Sequence, residues 1–230
     1  MRQVVILAGG MATRLYPITK DLPKSLLSIG GKIFLDLQIQ NLVQRGIHKF
    51  HFCLGQHGNQ IEKFLAQPRF KQLDVTMSYD SSPKRGTAGA LVDAKNYLED
   101  EFLLMYGDSY LPIDLDNLEL AWSRFDARLK LSIKSTHNSR HVPNIEVMSN
   151  GAFKYGSDSK HATYIDYGLM LVDKSVIQDI ERESLTSFTS VIQSLGQSQE
   201  AVCASTNSAL YEVGSFEGIR ELEEYLGESK

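Results

Sequence analysis

Cysteine is nearly missing from this chain. Its 230 residues include only Cys53 and Cys203, with no C-x-x-C pair. This excludes a disulfide framework and fits a reducing compartment. Long apolar runs are missing as well. No stretch approaches the roughly 20 residues that cross a bilayer, and residues 1–9 are too short for a signal peptide. A cytoplasmic protein without a membrane partner is expected. A basic stripe is also lacking, and the net charge is −4, so nucleic acid is not an expected partner. There is no internal repeat, low-complexity tract or Pro/Gly/Ser linker, which favours one domain over residues 1–230.

The rest of the composition is ordinary for a globular chain. Hydrophobic residues make up 42% and charged residues 23%, enough for a core that needs no staples. The first half alternates between strand and helix patterns. Residues 3–8, 49–54, 74–79 and 102–106 read as strands. Residues 34–45, ended by Gly46, together with 58–66 and 88–98, read as helices. Such alternation implies a mainly parallel sheet covered on both faces.

After residue 128 the rhythm changes. Residues 129–136, 144–148, 152–155 and 164–172 read as strands, and Asn150-Gly151 signals a hairpin. Helices over 174–182, 186–195 and 216–226 and strands over 201–205 and 209–213 complete the pattern. The expected class is α/β: a mainly parallel sheet covered on both faces, to which the second half adds strands.

Ligands of an open α/β sheet lie beyond the carboxyl ends of the strands. Three features fall there: Gly9-Gly10, Gly55-Gln56 and Gly107-Asp108. The first continues as Met11-Ala12-Thr13-Arg14. It has neither dinucleotide-fingerprint nor Walker A spacing, yet it brings backbone N–H groups and a forked cation together, which suits a polyphosphate. Arg14, Lys20, Lys24 and Lys32 fall within nineteen residues, and Lys84-Arg85 recur later. Taken singly, most of these lysines read as solvated surface. Pro23 fixes the backbone before Lys24.

Asp108 at a strand tip suits magnesium, against the plain alternative of a turn aspartate. Gly86-Thr87-Ala88-Gly89 opens a helix where a base or ribose can lie, unless Thr87 is only an N-cap. The six histidines show no metal-ligand spacing. Tyr110, Tyr164 and Tyr167 suit either a sugar pocket or the core.

Together, Leu7-Ala8-Gly9-Gly10-x-Ala12-Thr13-Arg14-Leu15-x-Pro17-x-Thr19 and Pro23-Lys24 resemble the signature of the sugar-phosphate nucleotidyltransferases. Gly86–Ala90, Gly107-Asp108, Asn144-Ile145-Glu146, Ile165–Leu169 and Tyr211–Ser215 resemble its later motifs in order. The compact form is similar to the heptose and mannose 1-phosphate guanylyltransferases and to uridylyltransferases of similar length.

The resemblance implies a Rossmann-like three-layer sandwich with a mainly parallel mixed sheet and an added small antiparallel region, and transfer of a nucleotide from a triphosphate, GTP for instance, to a heptose or mannose 1-phosphate, with release of pyrophosphate and Mg2+ as cofactor. It implies catalytic roles for Arg14, Lys24 and Asp108. Nucleotide contacts would come from Leu7, Ala8, Gly9, Gly10, Thr13, Gln56, Gly86, Thr87 and Gly89 in residues 1–110. Sugar-phosphate contacts would come from Ser109, Asn144, Glu146, Asp166, Tyr167 and Gly168 in residues 111–230, apart from Ser109 at the boundary. Asp108 and Glu212 would hold the metal. No carboxy-terminal β-helix is expected, and a homodimer is the expected assembly.

Three positions depart from the family pattern. Ala12 replaces a frequent glycine, Glu212 replaces an aspartate, and Asp166 replaces an asparagine. Lys154 and Lys160 are the candidates for a shortened lysine-bearing loop. Because of Asp166, a non-sugar phosphorylated acceptor stays open as an alternative. A catalytically silent nucleotide or sugar-phosphate binder is the other alternative.

Overall fold

Alternating apolar side chains at the amino terminus build the centre of the molecule. Val4 and Ile6 point into one hydrophobic layer and Val5 into the other, all fully buried. A computed structural model of the chain describes residues 2–10, 12–83, 85–137, 141–148, 152–156 and 160–228. In chain order the first half runs β1 (Gln3–Ala8), β2 (Ser28–Ile29), β3 (Lys32–Ile33), α1 (Phe34–Val43), β4 (Lys49–Leu54), α2 (Gly58–Leu65), β5 (Asp74–Tyr79), α3 (Gly86–Ala94), β6 (Glu101–Tyr106) and β7 (Ser109–Tyr110). The second half runs α4 (Leu115–Trp122), β8 (Leu129–Ser135), β9 (Ile145–Val147), β10 (Phe153–Tyr155), β11 (Tyr164–Asp173), α5 (Val176–Glu183), α6 (Phe188–Gln197), β12 (Ala201–Ser205), β13 (Tyr211–Glu212) and α7 (Phe216–Glu228).

Among the described residues the main sheet runs β10-β9-β11-β6-β1-β4-β5, with β8 beside β11 and β12 beside β8. β6, β1, β4 and β5 are parallel, as their intervening helices require. β11 lies antiparallel to both β6 and β8 and joins the second half to this core. Helices α1, α2 and α4 pack on one face, and α3, α5 and α6 on the other. This is the expected three-layer Rossmann-like sandwich, and the β9–β10 pair supplies its antiparallel addition. The hairpin expected at Asn150-Gly151 lies outside the described residues, as does Lys84.

Two assignments change. The strand expected over 209–213 is shorter, Tyr211–Glu212, and pairs with β7 in a separate ribbon. Residues 115–122 receive no element from the sequence reading, yet they form α4. The signal is local. Asp114 caps the helix by accepting from the Asn117 N–H at 3.1 Å, and Leu115, Leu118 and Trp122 share the buried face.

A buried histidine sits in the parallel core. His51 on β4 is fully buried, with Nδ1 2.8 Å from Thr76 Oγ1 and Nε2 3.0 Å from Ser78 Oγ, and its ring stacks on Tyr97. Burial lowers its pKa to about 4 from 6.5. The folded state thus keeps His51 neutral at pH values where the unfolded chain takes up a proton. Its contribution is fully present above about pH 6.5 and is lost as pH falls towards 4, on the order of 2–3 kcal/mol. Denaturant titrations across that window should show a shallower fall in stability for His51→Gln than for the parent. Equal slopes would contradict a neutral buried imidazole.

Candidate active site

The carboxyl ends of β1 and β6 meet at Gly107. Its N–H donates to the Leu7 carbonyl at 3.1 Å, and a Cβ there would lie 2.4 Å from that oxygen. Only glycine permits this approach, and the approach sets Asp108 beside the Gly9-Gly10 loop. A cleft of about 410 Å³ opens at this point. Leu7, Ala8, Gly9, Gly10, Lys24, Gly86, Thr87, Gly107 and Asp108 line it, joined by Ser25, Cys53, Asp80, Ala90 and Tyr106.

The loop after Gly10 is held by Thr19, whose hydroxyl donates to the Ala12 carbonyl at 2.8 Å. Ala12 adopts a left-handed backbone at φ 48°, a conformation that costs a residue with a Cβ roughly 1–2 kcal/mol. Thr13 and Arg14 follow in a short 3₁₀ turn, both exposed and outside the cleft lining. Lys24 starts another 3₁₀ turn directly after Pro23. Its ammonium lies 2.5 Å from Asp108 Oδ2, with side chains 17% and 33% exposed. A cation therefore already occupies one face of the carboxylate proposed to hold a metal.

Two α1 residues hold the segment after Asp108. Gln38 Nε2 donates to the Ser109 carbonyl at 2.7 Å, and Asn41 Nδ2 donates to the Leu111 carbonyl at 2.8 Å. On the other side, the Val213 N–H donates to the Asp108 carbonyl at 2.8 Å, and Glu212 pairs in register with Ser109. Asp108 and Glu212 thus sit one residue apart across the ribbon. Among the described residues no group of three His, Cys, Asp or Glu side chains is arranged to hold a metal ion.

In the second half, Asp166 gathers donors from three elements. Its Oδ2 accepts from the Tyr106 hydroxyl at 3.1 Å and the Tyr155 hydroxyl at 3.0 Å, and its Oδ1 accepts from the Gly168 N–H at 2.8 Å. Its backbone N–H donates to Asn144 Oδ1 at 3.2 Å. Burial pushes the carboxyl up to about 6, against the pull of these donors, and Glu212 adds repulsion. Glu146 lies 4.0 Å from Lys154.

Several expected contacts fall elsewhere. The Tyr167 side chain is fully buried in the core, with its hydroxyl donating to the Ala209 carbonyl at 2.7 Å, so an expected sugar contact through its side chain is corrected. β11 alternates, and Tyr167 faces the layer opposite Asp166. Ser109 is 1% exposed, and its Oγ has no hydrogen-bond partner among the described residues. The open side of Gly89 is filled by the Arg85 side chain, and that of Gly86 by the Thr186 backbone. Thr87 does not cap its own helix. Its hydroxyl accepts from the Phe188 N–H at 2.9 Å and ties α3 to α6. Gln56 is exposed at the cleft's far edge, beside Asp80. The thiol of Cys53 is pushed up to about 12 by burial and is no nucleophile.

Ser25, Asp80 and Tyr106 are cleft residues that the motif reading missed. Ser25 is 5% exposed with an unpartnered Oγ, and its position directly after Lys24 was the available signal. Asp80 approaches the place a Gly9 Cβ would take, its Oδ2 3.1 Å away. It follows β5, the fourth strand tip on this edge.

The sequence and the fold have counterparts among known proteins. The family model described as nucleotidyl transferase matches residues 3–139, more than half of the chain. The chain belongs to the nucleotidyl transferase family. The D-glycero-alpha-D-manno-heptose 1-phosphate guanylyltransferase of Campylobacter jejuni is 25% identical over 83% of this chain and 85% of its own. A probable glucose-1-phosphate cytidylyltransferase of Bacillus subtilis is 31% identical, over 50% of this chain and only 54% of the relative. HddC from Yersinia pseudotuberculosis, crystallised with GMP-PN, superposes with a TM-score of 0.79 at 22% identity, covering 98% of this chain and 100% of that one. At that identity the likeness establishes the fold. In this nucleotidyltransferase, Leu7, Ala8, Gly9, Gly10 and Lys24 line the cleft that ends at Asp108. Among the described residues no helix is long and apolar enough to cross a membrane.

Proposed function

We propose that this nucleotidyltransferase joins a nucleoside triphosphate to a sugar 1-phosphate, with GTP and a heptose or mannose 1-phosphate as its substrates. The observation that carries this reading is the meeting of Lys24, Asp108 and the Gly9-Gly10 backbone in one cleft whose opposite wall is the start of α3. Two polyanions must approach there, and fixed positive groups offset their repulsion.

A sugar-phosphate oxygen attacks the α-phosphorus, the α–β phosphoanhydride bond breaks and pyrophosphate leaves. No protein nucleophile is needed. Residues 1–110 hold the nucleotide and residues 111–230 the sugar phosphate. The backbone at Gly9 and Gly10 takes the phosphates, the exposed Arg14 folds onto them, and Lys24 leaves Asp108 for a phosphate oxygen. Asp108, with Glu212 one residue away across the ribbon, would hold a divalent ion of the Mg2+ type. So few protein ligands suit an ion whose other positions are filled by phosphate and water. That ion offsets phosphate charge at the reacting centre when bound.

Guanine is favoured by Asp80. A carboxylate accepts from adjacent N–H donors, and the N1 and N2 edge of guanine presents two. The guanylyltransferase name of the Campylobacter relative points the same way.

A thermal-shift screen of GTP, CTP, UTP, dTTP and ATP with Mg2+ tests the base. GTP should raise the melting temperature most, because binding to the folded state alone stabilises it. Pyrophosphate release from GTP with mannose or heptose 1-phosphate should follow. A larger shift with another base would overturn the guanine assignment. No release with any pair of substrates would overturn the transfer itself.

A further inference from the structure

We infer that Arg85 and Asp93 are positioning residues that hold the α3 wall of the nucleotide cleft in its binding shape. The inference rests on the transfer reading above. It adds to that reading two residues that set nucleotide affinity and base choice without touching the nucleotide.

The wall is the turn between β5 and α3 together with the first turns of α3. Asp80, Gly86, Thr87 and Ala90 line the cleft from it, whereas Arg85 and Asp93 do not. The turn has little backbone support. The Asp80 N–H donates to the Leu54 carbonyl at 2.9 Å, but among the described residues Ser81, Ser82 and Pro83 make no backbone–backbone hydrogen bond. A ring of side chains takes over. Asp93 Oδ2 accepts from the Ser81 N–H at 2.9 Å, and Asp93 Oδ1 pairs with Arg85 Nη2. Arg85 Nε donates to Ser81 Oγ at 3.1 Å and closes the ring.

Three positions four residues apart build this ring. Arg85, Gly89 and Asp93 share one face of α3, so the guanidinium must pass over position 89 to reach Asp93. A Cβ at Gly89 would lie 2.1 Å from Arg85 Cβ and 3.7 Å from its Nε. Only glycine leaves that path open. Glycine at 89 is thus explained by Arg85, not by a base or ribose lying on the helix. The helix itself gains nothing from Asp93, because a carboxylate in the last turn opposes the helix dipole. The far side of the wall is braced separately. The Ala88 N–H donates to the Thr186 carbonyl at 3.0 Å, and the Phe188 N–H donates to the Thr87 hydroxyl. The ring fixes the part that this brace does not reach, the segment that begins at Asp80. Ordering that segment before the nucleotide arrives removes an entropic cost from binding. It also aims the Asp80 carboxylate, which Gly9 and Gly55 flank.

The test is a double-mutant cycle of Arg85→Met, Asp93→Ala and the pair. Calorimetry gives the Kd of each protein for GTP, CTP, UTP, dTTP and ATP with Mg2+. Steady-state assays give kcat and the KM for the sugar 1-phosphate. Each single variant should weaken the best-bound triphosphate about tenfold and narrow its lead over the next by about threefold or more. The pair should do no more than either single variant, because both break the same ring. kcat and the sugar-phosphate KM should stay within about twofold, a split that general loss of structure would not give.

An Asp93→Ala protein that binds nucleotide as well as the parent or better, beside a weakened Arg85→Met, would make Arg85 a direct phosphate contact and overturn the inference. Additive effects in the pair, or unchanged Kd values, overturn it too. The parent also tests it alone. Its Ser81 amide should be protected from hydrogen exchange before any nucleotide is added. Exchange there at the free-peptide rate overturns the inference even if a variant fails to fold. Absence of pyrophosphate release from the parent with every substrate pair is the separate failure of the transfer reading, and the nucleotide titrations still decide the role of the ring. A parent that binds no triphosphate overturns both.

Discussion

Asp108→Asn is expected to lower turnover at least a hundredfold, the scale typical of losing one key electrostatic group at a reacting centre. The fold should survive. Asp108 is at a strand tip, a third exposed, and its backbone rather than its side chain holds the neighbouring ribbon through the Val213 N–H. An amide of the same shape keeps the packing but loses the charge that attracts Lys24 and that is proposed to bind a divalent ion. Pyrophosphate release under saturating substrates and Mg2+, read beside an unchanged melting temperature, is the measurement. Turnover near that of the parent would remove Asp108 from the mechanism.

Lys24→Met should also cut turnover by one to two orders of magnitude, because the positive charge proposed to face the transferred phosphate is lost. Its second consequence is opposite in sign. In the substrate-free protein the Lys24 ammonium lies 2.5 Å from Asp108 and competes with any divalent ion for that carboxylate. Calorimetric titration of the substrate-free variant with Mg2+ should therefore show tighter binding than in the parent. The melting temperature should move little, since partly exposed ion pairs contribute at most about 1 kcal/mol. Weaker Mg2+ binding in Lys24→Met would mean that the lysine supports the metal site rather than occupying it.

Both variants act on residues that the sequence alone brings to notice. Lys24 follows Pro23, and Asp108 ends an apolar strand run, so chain-local chemistry marks each. The distance between them does not follow from such signals. They are 84 positions apart, and only the packing of β6 against β1, with glycine at 107, closes the gap. The same limit explains Tyr106 and Tyr155. Each reads locally as an ordinary strand aromatic, and their shared attachment to Asp166 depends on how β6, β10 and β11 are ordered in the sheet. Tyr167 shows the reverse error. It is adjacent in sequence to Asp166 but faces the opposite layer, because a strand turns successive side chains to opposite sides.

The sequence by itself determined the α/β class, the strand and helix rhythm, the family signature and the placement of polar groups at strand tips. These follow from periodicity, turn chemistry and motif spacing, which act over a few residues. The tertiary structure alone decided that Lys24 covers Asp108, that Glu212 pairs with Ser109 in a separate ribbon, and that three donors converge on Asp166. These depend on sheet order, register and one bulge, which are settled by long-range packing and leave no periodic mark in the chain.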